Sequence, residues 1–291
     1  MTLTRRRFLT ISAAFAGLPG TAQAHSWQGR AFGADVPLTI RGPRDPADAA
    51  MTEVRKLITE AEQMFSLYDP ASALSGLNSV GVLHLPPPRF LDLMQAADTA
   101  FRLTDGLFDP TVQPLWAALA EGRDTAPVIP AMGWQKLRFD PTKITLGPSQ
   151  ALTFNGIAQG FTTDLVADAL TARGLTDTLV NIGEYRANGG PWTVGIADPA
   201  HGFLGHRTLT KGAIATSSPA ATLIGAQGHI LHANAQPRWS SVTVEASNAT
   251  LADSLSTALV LATRDQIRQI KTRADITWVT LIDFNGDLST L

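Results

Sequence analysis

After Pro46, apolar residues recur at helical spacing, at Met51, Val54, Leu57, Ile58, Ala61, Met64 and Phe65, which predicts an amphipathic helix. Residues 31 to 41 alternate loosely ahead of it and read as a strand. A turn-rich stretch from Tyr68 to Asn78 leads past Pro86, Pro87 and Pro88 into a second helix with Leu91, Met94, Ala97, Ala100 and Phe101 on its apolar face. Phe108-Asp109-Pro110-Thr111-Val112 reads as a turn into a short helix, with Asp109 placed to accept backbone donors as a cap. Short strands follow near 135 to 139 and 143 to 146, then a helix from Gly156 to Arg173 that Gly174 ends. Strands near 178 to 183, 192 to 197, 206 to 216 and 240 to 246 come next. A helix from about Leu251 to Ala262 and a hairpin turning at Asn285-Gly286-Asp287 close the chain. Without a regular βαβ rhythm, these elements predict a single α+β domain with a mixed, largely antiparallel sheet flanked by helices.

The first 24 residues follow a different pattern. Thr4 precedes Arg5, Arg6 and Arg7, then come Phe8, Leu9, an apolar stretch to Leu18, and Ala22-Gln23-Ala24 before His25. This charged, apolar, cleavable order predicts a twin-arginine signal peptide over residues 1–24, export to the periplasm and a domain over 25–291. The apolar stretch is shorter than the about 20 residues that a membrane anchor needs. Removing it takes three arginines and no acids, leaving 20 basic and 25 acidic residues, a net charge of -5. That balance argues against nucleic acid as a partner. Cysteine is absent, so a disulfide, a thiolate nucleophile and a thiolate metal site are all excluded, and any metal must sit on oxygen or imidazole.

Neither a GxxxxGK(S/T) phosphate loop, a GxGxxG fingerprint nor an HExxH zinc motif occurs. In Leu251-Ala252-Asp253-Ser254-Leu255-Ser256-Thr257 the Asp253 carboxylate and Thr257 hydroxyl stand four residues apart, on one helix face, where two hard oxygens could share Mg2+. A cap at Asp253 and a back-bonded hydroxyl at Thr257 explain the same pair structurally. Gly156-Ile157-Ala158-Gln159-Gly160 lets the backbone approach either a phosphate at a helix start or a tightly packed strand. Thr216, Ser217 and Ser218 cluster hydroxyls after a strand. His229 and His232 would point to opposite sides of a regular strand, so sharing a metal would need a turn there, and ordinary hydrogen-bonded histidines are the favoured reading.

Taken in order, these segments resemble the ApbE family of FAD:protein FMN transferases from about residue 31 to 283. The likeness begins with Phe65-Ser66-Leu67-Tyr68-Asp69-Pro70, together with Ser72, Leu74, Ser75, Leu77 and Asn78, which is similar to the family's early substrate-binding segment. Phe108 to Leu115 resembles FDPTVGPL, Gly156 to Gly160 resembles GIAKG, Ala213 to Ser217 resembles AIATSG, and Leu251 to Leu259 resembles LADALATAL. The chain departs from the pattern at Ala73, where the family has Glu, and at Gln159, where it has Lys. It departs again after His229, where HIIDPRTG becomes His229-Ile230-Leu231-His232-Ala233-Asn234-Ala235-Gln236.

The resemblance implies a Mg2+ site on Asp253, Thr257 and the Ala158 carbonyl. It implies FAD contacts at Ser66, Tyr68, Asn78, Asp109, Thr111, Gly156, Ile157, Gly160, Thr216 and Ser217, with His229 as the catalytic base. The reaction it implies moves FMN from FAD to a threonine of a partner flavoprotein and releases AMP. With water as acceptor the same site would be an FAD hydrolase, and without turnover it would be a flavin-binding or delivery protein. Asn181-Ile182-Gly183-Glu184-Tyr185-Arg186-Ala187 resembles the GEYRA variant of NosX-like members, which implies a membrane-anchored NosR-like acceptor in nitrous-oxide reduction, a step of denitrification.

Overall fold

The structure, a computed structural model, describes residues 24–32, 34–274 and 276–291; all but the last residue of the expected signal peptide lie outside them. Its elements in chain order are β1 (24–31), β2 (34–41), α1 (44–65), α2 (73–80), β3 (82–84), α3 (88–103), α4 (113–120), β4 (138–140), β5 (143–145), α5 (158–172) and β6 (178–181). There follow β7 (185–198), β8 (202–217), β9 (223–224), β10 (227–228), β11 (241–246), α6 (249–259), α7 (264–274), β12 (278–282) and β13 (288–290). Eight strands form one sheet in the order β1-β2-β6-β7-β8-β11-β12-β13, and each neighbouring pair runs antiparallel. The α+β class predicted from the pattern is what the chain adopts, with α1, α5, α6 and α7 on the sheet.

Four departures have local causes. The expected single strand at 31 to 41 is the second arm of a hairpin whose first arm is β1. Within the turn-rich stretch, α2 forms because the Ser72 hydroxyl accepts the Ser75 amide at 3.0 Å and because Leu74 and Leu77 are fully buried. The strand expected at 192 begins at Tyr185 instead, and Gly189, Gly190 and Pro191 interrupt its pairing with β8 without ending it. α7 was not expected, since Ile267 and Ile270 are its buried apolar residues; a capping box starts it, with Thr263 N donating to Gln266 Oε1 at 2.8 Å and Gln266 N to Thr263 Oγ1 at 3.3 Å.

The helix pair α5 and α6 fixes the interior. Asp164 of α5 accepts the first two amides of α6, from Ala249 at 2.9 Å and Thr250 at 2.8 Å, and Asn248 accepts the third, from Leu251. In return, Asp253 of α6 accepts the Gly160 amide in the first turn of α5 at 2.9 Å. Each helix start is thus satisfied by a carboxylate of the other. The contact needs glycine at 160, because a Cβ there would lie 2.3 Å from the Ala249 carbonyl oxygen. Gly160→Ala is therefore expected to lower unfolding free energy by about 1–3 kcal/mol. Gly76→Ala, in α2 with no atom within 4 Å of the added methyl, is expected to raise it by roughly 0.5–1 kcal/mol. Urea denaturation of the two variants checks both signs.

Candidate active site

α6 carries the first group of candidate residues. Asp253 is buried, its Oδ2 takes the Gly160 amide, and its Oδ1 makes no hydrogen bond among the described residues. Burial pushes its carboxyl up to about 7, opposed by the Gly160 amide and reinforced by the negative charge of Asp164. One turn on, Thr257 Oγ1 lies 3.1 Å from Ser217 Oγ, which also lies 2.8 Å from Ser256 Oγ. Gly156 passes so close that a Cβ would sit 2.9 Å from Thr257 Oγ1. Both glycines of the 156–160 turn therefore pack against α6, a helix, where sequence reasoning offered a strand or a phosphate. Ile157 is fully buried, so its side chain supports the turn from the core. The Gln159 amide makes no hydrogen bond among the described residues.

β8 brings Thr216 and Ser217 to this group. The Thr216 amide donates to Glu184 Oε2 at 3.2 Å, and its hydroxyl pairs with Thr243 Oγ1 at 2.8 Å. Glu184 was not singled out from the sequence, where it is one acid in the Asn181 to Ala187 segment. Burial holds its carboxyl well above the usual carboxylate range, the Asp253 charge adds to this, and the Thr216 amide opposes it. The signal that could have found it is an acid at the junction of two strands whose neighbours, Ile182 and Ala187, are buried.

Asp253, Thr257 and the Ala158 carbonyl each offer a hard oxygen, the donor type that Mg2+ prefers, and α6 and the 156–160 turn that carry them are in contact. Asp253 makes no ion pair among the described residues, so no protein cation neutralises it. These residues fit Mg2+. The Ala158 carbonyl already accepts the Thr162 hydroxyl at 2.7 Å and would use its second lone pair. Among the described residues no group of three or more His, Asp or Glu side chains could hold a metal, so hydroxyl, carbonyl and water oxygens would complete the shell.

A second group lies around the 108–112 turn. Asp109 caps it as expected, its Oδ1 accepting the Thr111 amide at 2.9 Å and the Thr111 hydroxyl at 2.6 Å, while Thr111 Oγ1 accepts the Gly133 amide at 2.7 Å. Burial raises the Asp109 carboxyl, countered by Thr111 and by the neighbouring His232. His229 directs Nδ1 at the carbonyls of Pro219, 3.0 Å away, and Thr222, 3.3 Å away. Carbonyls only accept, so Nδ1 carries the hydrogen and Nε2 keeps its lone pair. Burial lowers its pKa, which the two carbonyls partly offset, so the ring is neutral at pH 7. The two histidines have separate partners, His232 reaching Gly106 instead, and do not converge on one metal.

The third group is structural in its contacts. Ser66 Oγ accepts the amides of Tyr68 and Asp69, each at 3.2 Å, and Tyr68 is largely exposed. Asn78 exchanges two hydrogen bonds with the Leu152 backbone, at 2.8 and 2.7 Å, which occupies both ends of its amide. The groups lean on one core, since Phe65, Phe108, Ile157, Ala158 and Ala258 share a single apolar cluster.

A sequence model of the ApbE family matches residues 32–279. The chain belongs to the ApbE family. No curated protein matches it by sequence. Among solved structures it resembles the flavin transferase ApbE from Vibrio cholerae, with TM-score 0.80 at 22% identity over 93% of this chain and 97% of that one. The ApbE protein of Thermotoga maritima gives 0.81 at 22% identity over 92% and 96%. The apo flavinyl transferase ApbE of Pseudomonas stutzeri gives 0.78 at 22% identity over 93% and 96%. At this identity the likeness is one of fold.

Against the ApbE pattern, Gln159 in place of Lys lies over Gly183, whose added Cβ would meet its side-chain nitrogen at 2.5 Å, so an uncharged amide stands beside Glu184. Asp253 is then a buried acid with a raised pKa. Its native form holds the proton more tightly than the unfolded chain does, so its cost to stability begins above the unfolded value of 3.8 and is complete above about 7. Asp253→Asn keeps an acceptor for Gly160 and is expected to stabilise the metal-free protein at pH 8 by on the order of 2 kcal/mol. Mg2+ titration by calorimetry should show the same variant losing the cation, and the unmodified protein binding it more weakly as pH falls below about 7.

Proposed function

We propose that this protein is a Mg2+-dependent FAD:protein FMN transferase, which moves FMN from FAD to a threonine of a partner flavoprotein and releases AMP. The observation that carries this reading is Asp253: a buried carboxylate with no protein cation, on the same helix face as Thr257 and against the Gly156 to Gly160 turn. Membership of the ApbE family supports it, and two of the structures with this fold are described as flavin or flavinyl transferases.

In the proposed step the acceptor threonine oxygen forms a bond to the FMN phosphorus while the bond from that phosphorus to the AMP oxygen breaks, and AMP leaves with the electron pair. His229 Nε2 takes the hydroxyl proton, which its neutral, Nδ1-protonated ring is held ready to do. The 156–160 turn offers the Gln159 amide to phosphate oxygen. Bound on Asp253, Thr257 and Ala158, Mg2+ would offset the charge that builds on departing AMP. Residues 1–24, read as a twin-arginine signal, support placing this work in the periplasm. The Asn181 to Ala187 segment supports a NosX-like member acting on a membrane-anchored NosR-like acceptor. No helix of the described residues is long and apolar enough to cross a membrane.

Incubation with FAD, Mg2+ and an acceptor domain is expected to yield AMP and a covalently fluorescent acceptor in equal amounts. Asp253→Ala should cut this by at least about a hundredfold, and His229→Ala by roughly 10²–10⁴. The rate should rise with pH through a value below the ordinary histidine pKa of about 6.5 and then level off. Free FMN without acceptor would replace the transferase with an FAD hydrolase, and tight FAD binding without AMP would replace it with a delivery protein.

A further inference from the structure

We propose that His232 is a positioning residue that staples the segment carrying His229 to the turn carrying Asp109 and Thr111. The inference rests on the transferase reading and adds to it the residue that fixes where the base stands. Residues 231–239 form no helix or strand, so backbone ladders do not hold them. Their far end is anchored to the end of α6, with Arg238 N donating to Val260 O and Trp239 Nε1 to Ala262 O, each at 2.9 Å. Between that anchor and the buried Ile230, His232 alone among the described side chains bonds outside the segment.

The two ring nitrogens of His232 are both committed. Nε2 faces the Gly106 carbonyl at 3.1 Å and therefore donates, which leaves Nδ1 as the acceptor of the Asn234 amide at 3.1 Å. A ring bonded at both ends has no lone pair to offer a substrate proton, whereas His229 keeps Nε2 without a partner among the described residues. The geometry thus divides the work: His229 acts and His232 holds. The receiving end is firm, since Gly106 N donates to Phe101 O at 2.8 Å, Leu107 N to Thr104 O at 3.1 Å and Phe108 N to Thr104 Oγ1 at 3.0 Å. Asp109 begins its cap three residues beyond, its Oδ1 accepting the Thr111 amide at 2.9 Å.

The test compares the full-length protein with His232→Ala and His232→Gln, the glutamine keeping an N–H for Gly106. In His232→Ala, kcat for FMN transfer should fall roughly 10–100-fold while the FAD Kd stays within about twofold, and His232→Gln should recover most of the loss. Amide exchange across residues 229–236 should quicken by roughly tenfold in His232→Ala and revert in His232→Gln. An unchanged kcat or unchanged exchange in His232→Ala overturns the proposal, as does a glutamine variant that restores neither. If the unmodified protein transfers no FMN, the transferase reading fails, and the exchange experiment alone then decides whether the staple exists.

Discussion

An α-helix starts with amides that its own carbonyls cannot reach, and α5 and α6 start side by side in the interior, where water cannot serve them. Each takes its acceptor from the other's carboxylate, Asp164 for α6 and Asp253 for α5. The exchange operates only at the separation that Gly160 allows, with backbone against backbone. The two acids do the same structural work in unequal settings. Asp164 also accepts Arg186 Nη1 at 2.6 Å and the Thr250 hydroxyl at 2.5 Å, so its charge and lone pairs are matched. Asp253 has one amide and no cation. That inequality makes Asp253 the candidate for a ligand, because a buried carboxylate without a counterion has a charge left to complete.

The rest of the sheet serves this junction. The antiparallel β7 and β8 run side by side, so Glu184, just ahead of β7, and Thr216 and Ser217, at the end of β8, come together in front of α6. Strand ends are where backbone amides are left over, and the Thr216 amide is spent on Glu184. A second carboxylate thereby enters the interior near Asp253, held by backbone geometry and with a neutral Gln159 nearby. Stability is set against charge density at this spot, since two buried acids without a counterion cost free energy.

Much of this was legible in the sequence because it rests on periodicity and on residue types with narrow physical roles. The Asp109 cap, the Gly156 and Gly160 turn and the pairing of Asp253 with Thr257 on one face follow from spacing alone. What escaped notice depends on distant partners. α7 hides because only two apolar residues face the core, and the first part of β7 hides because Gly189, Gly190 and Pro191 interrupt the strand, while β6 and β8 hold it on either side. Glu184 looks like any acid until the sheet buries it. Asn78 also ties its amide to the Leu152 backbone, 74 residues away, which no local pattern reveals.

The departures from the family pattern fall where physics tolerates them. A Cβ placed 2.3 Å from the Ala249 carbonyl oxygen has no alternative arrangement short of moving a helix, and the glycine is kept. A charged side chain is different, since its effect can be replaced by a dipole, a water or another donor. Gln159, where the family pattern has Lys, leaves a neutral amide against Gly183. His232, where the family pattern has Asp, holds the loop by donating to Gly106 and accepting from Asn234. Gly156 and Gly160, which close backbone contact demands, are kept, whereas Gln113, Ser218 and Gln236 stand where the pattern has glycine and Ala73 and Gln159 where it has charge.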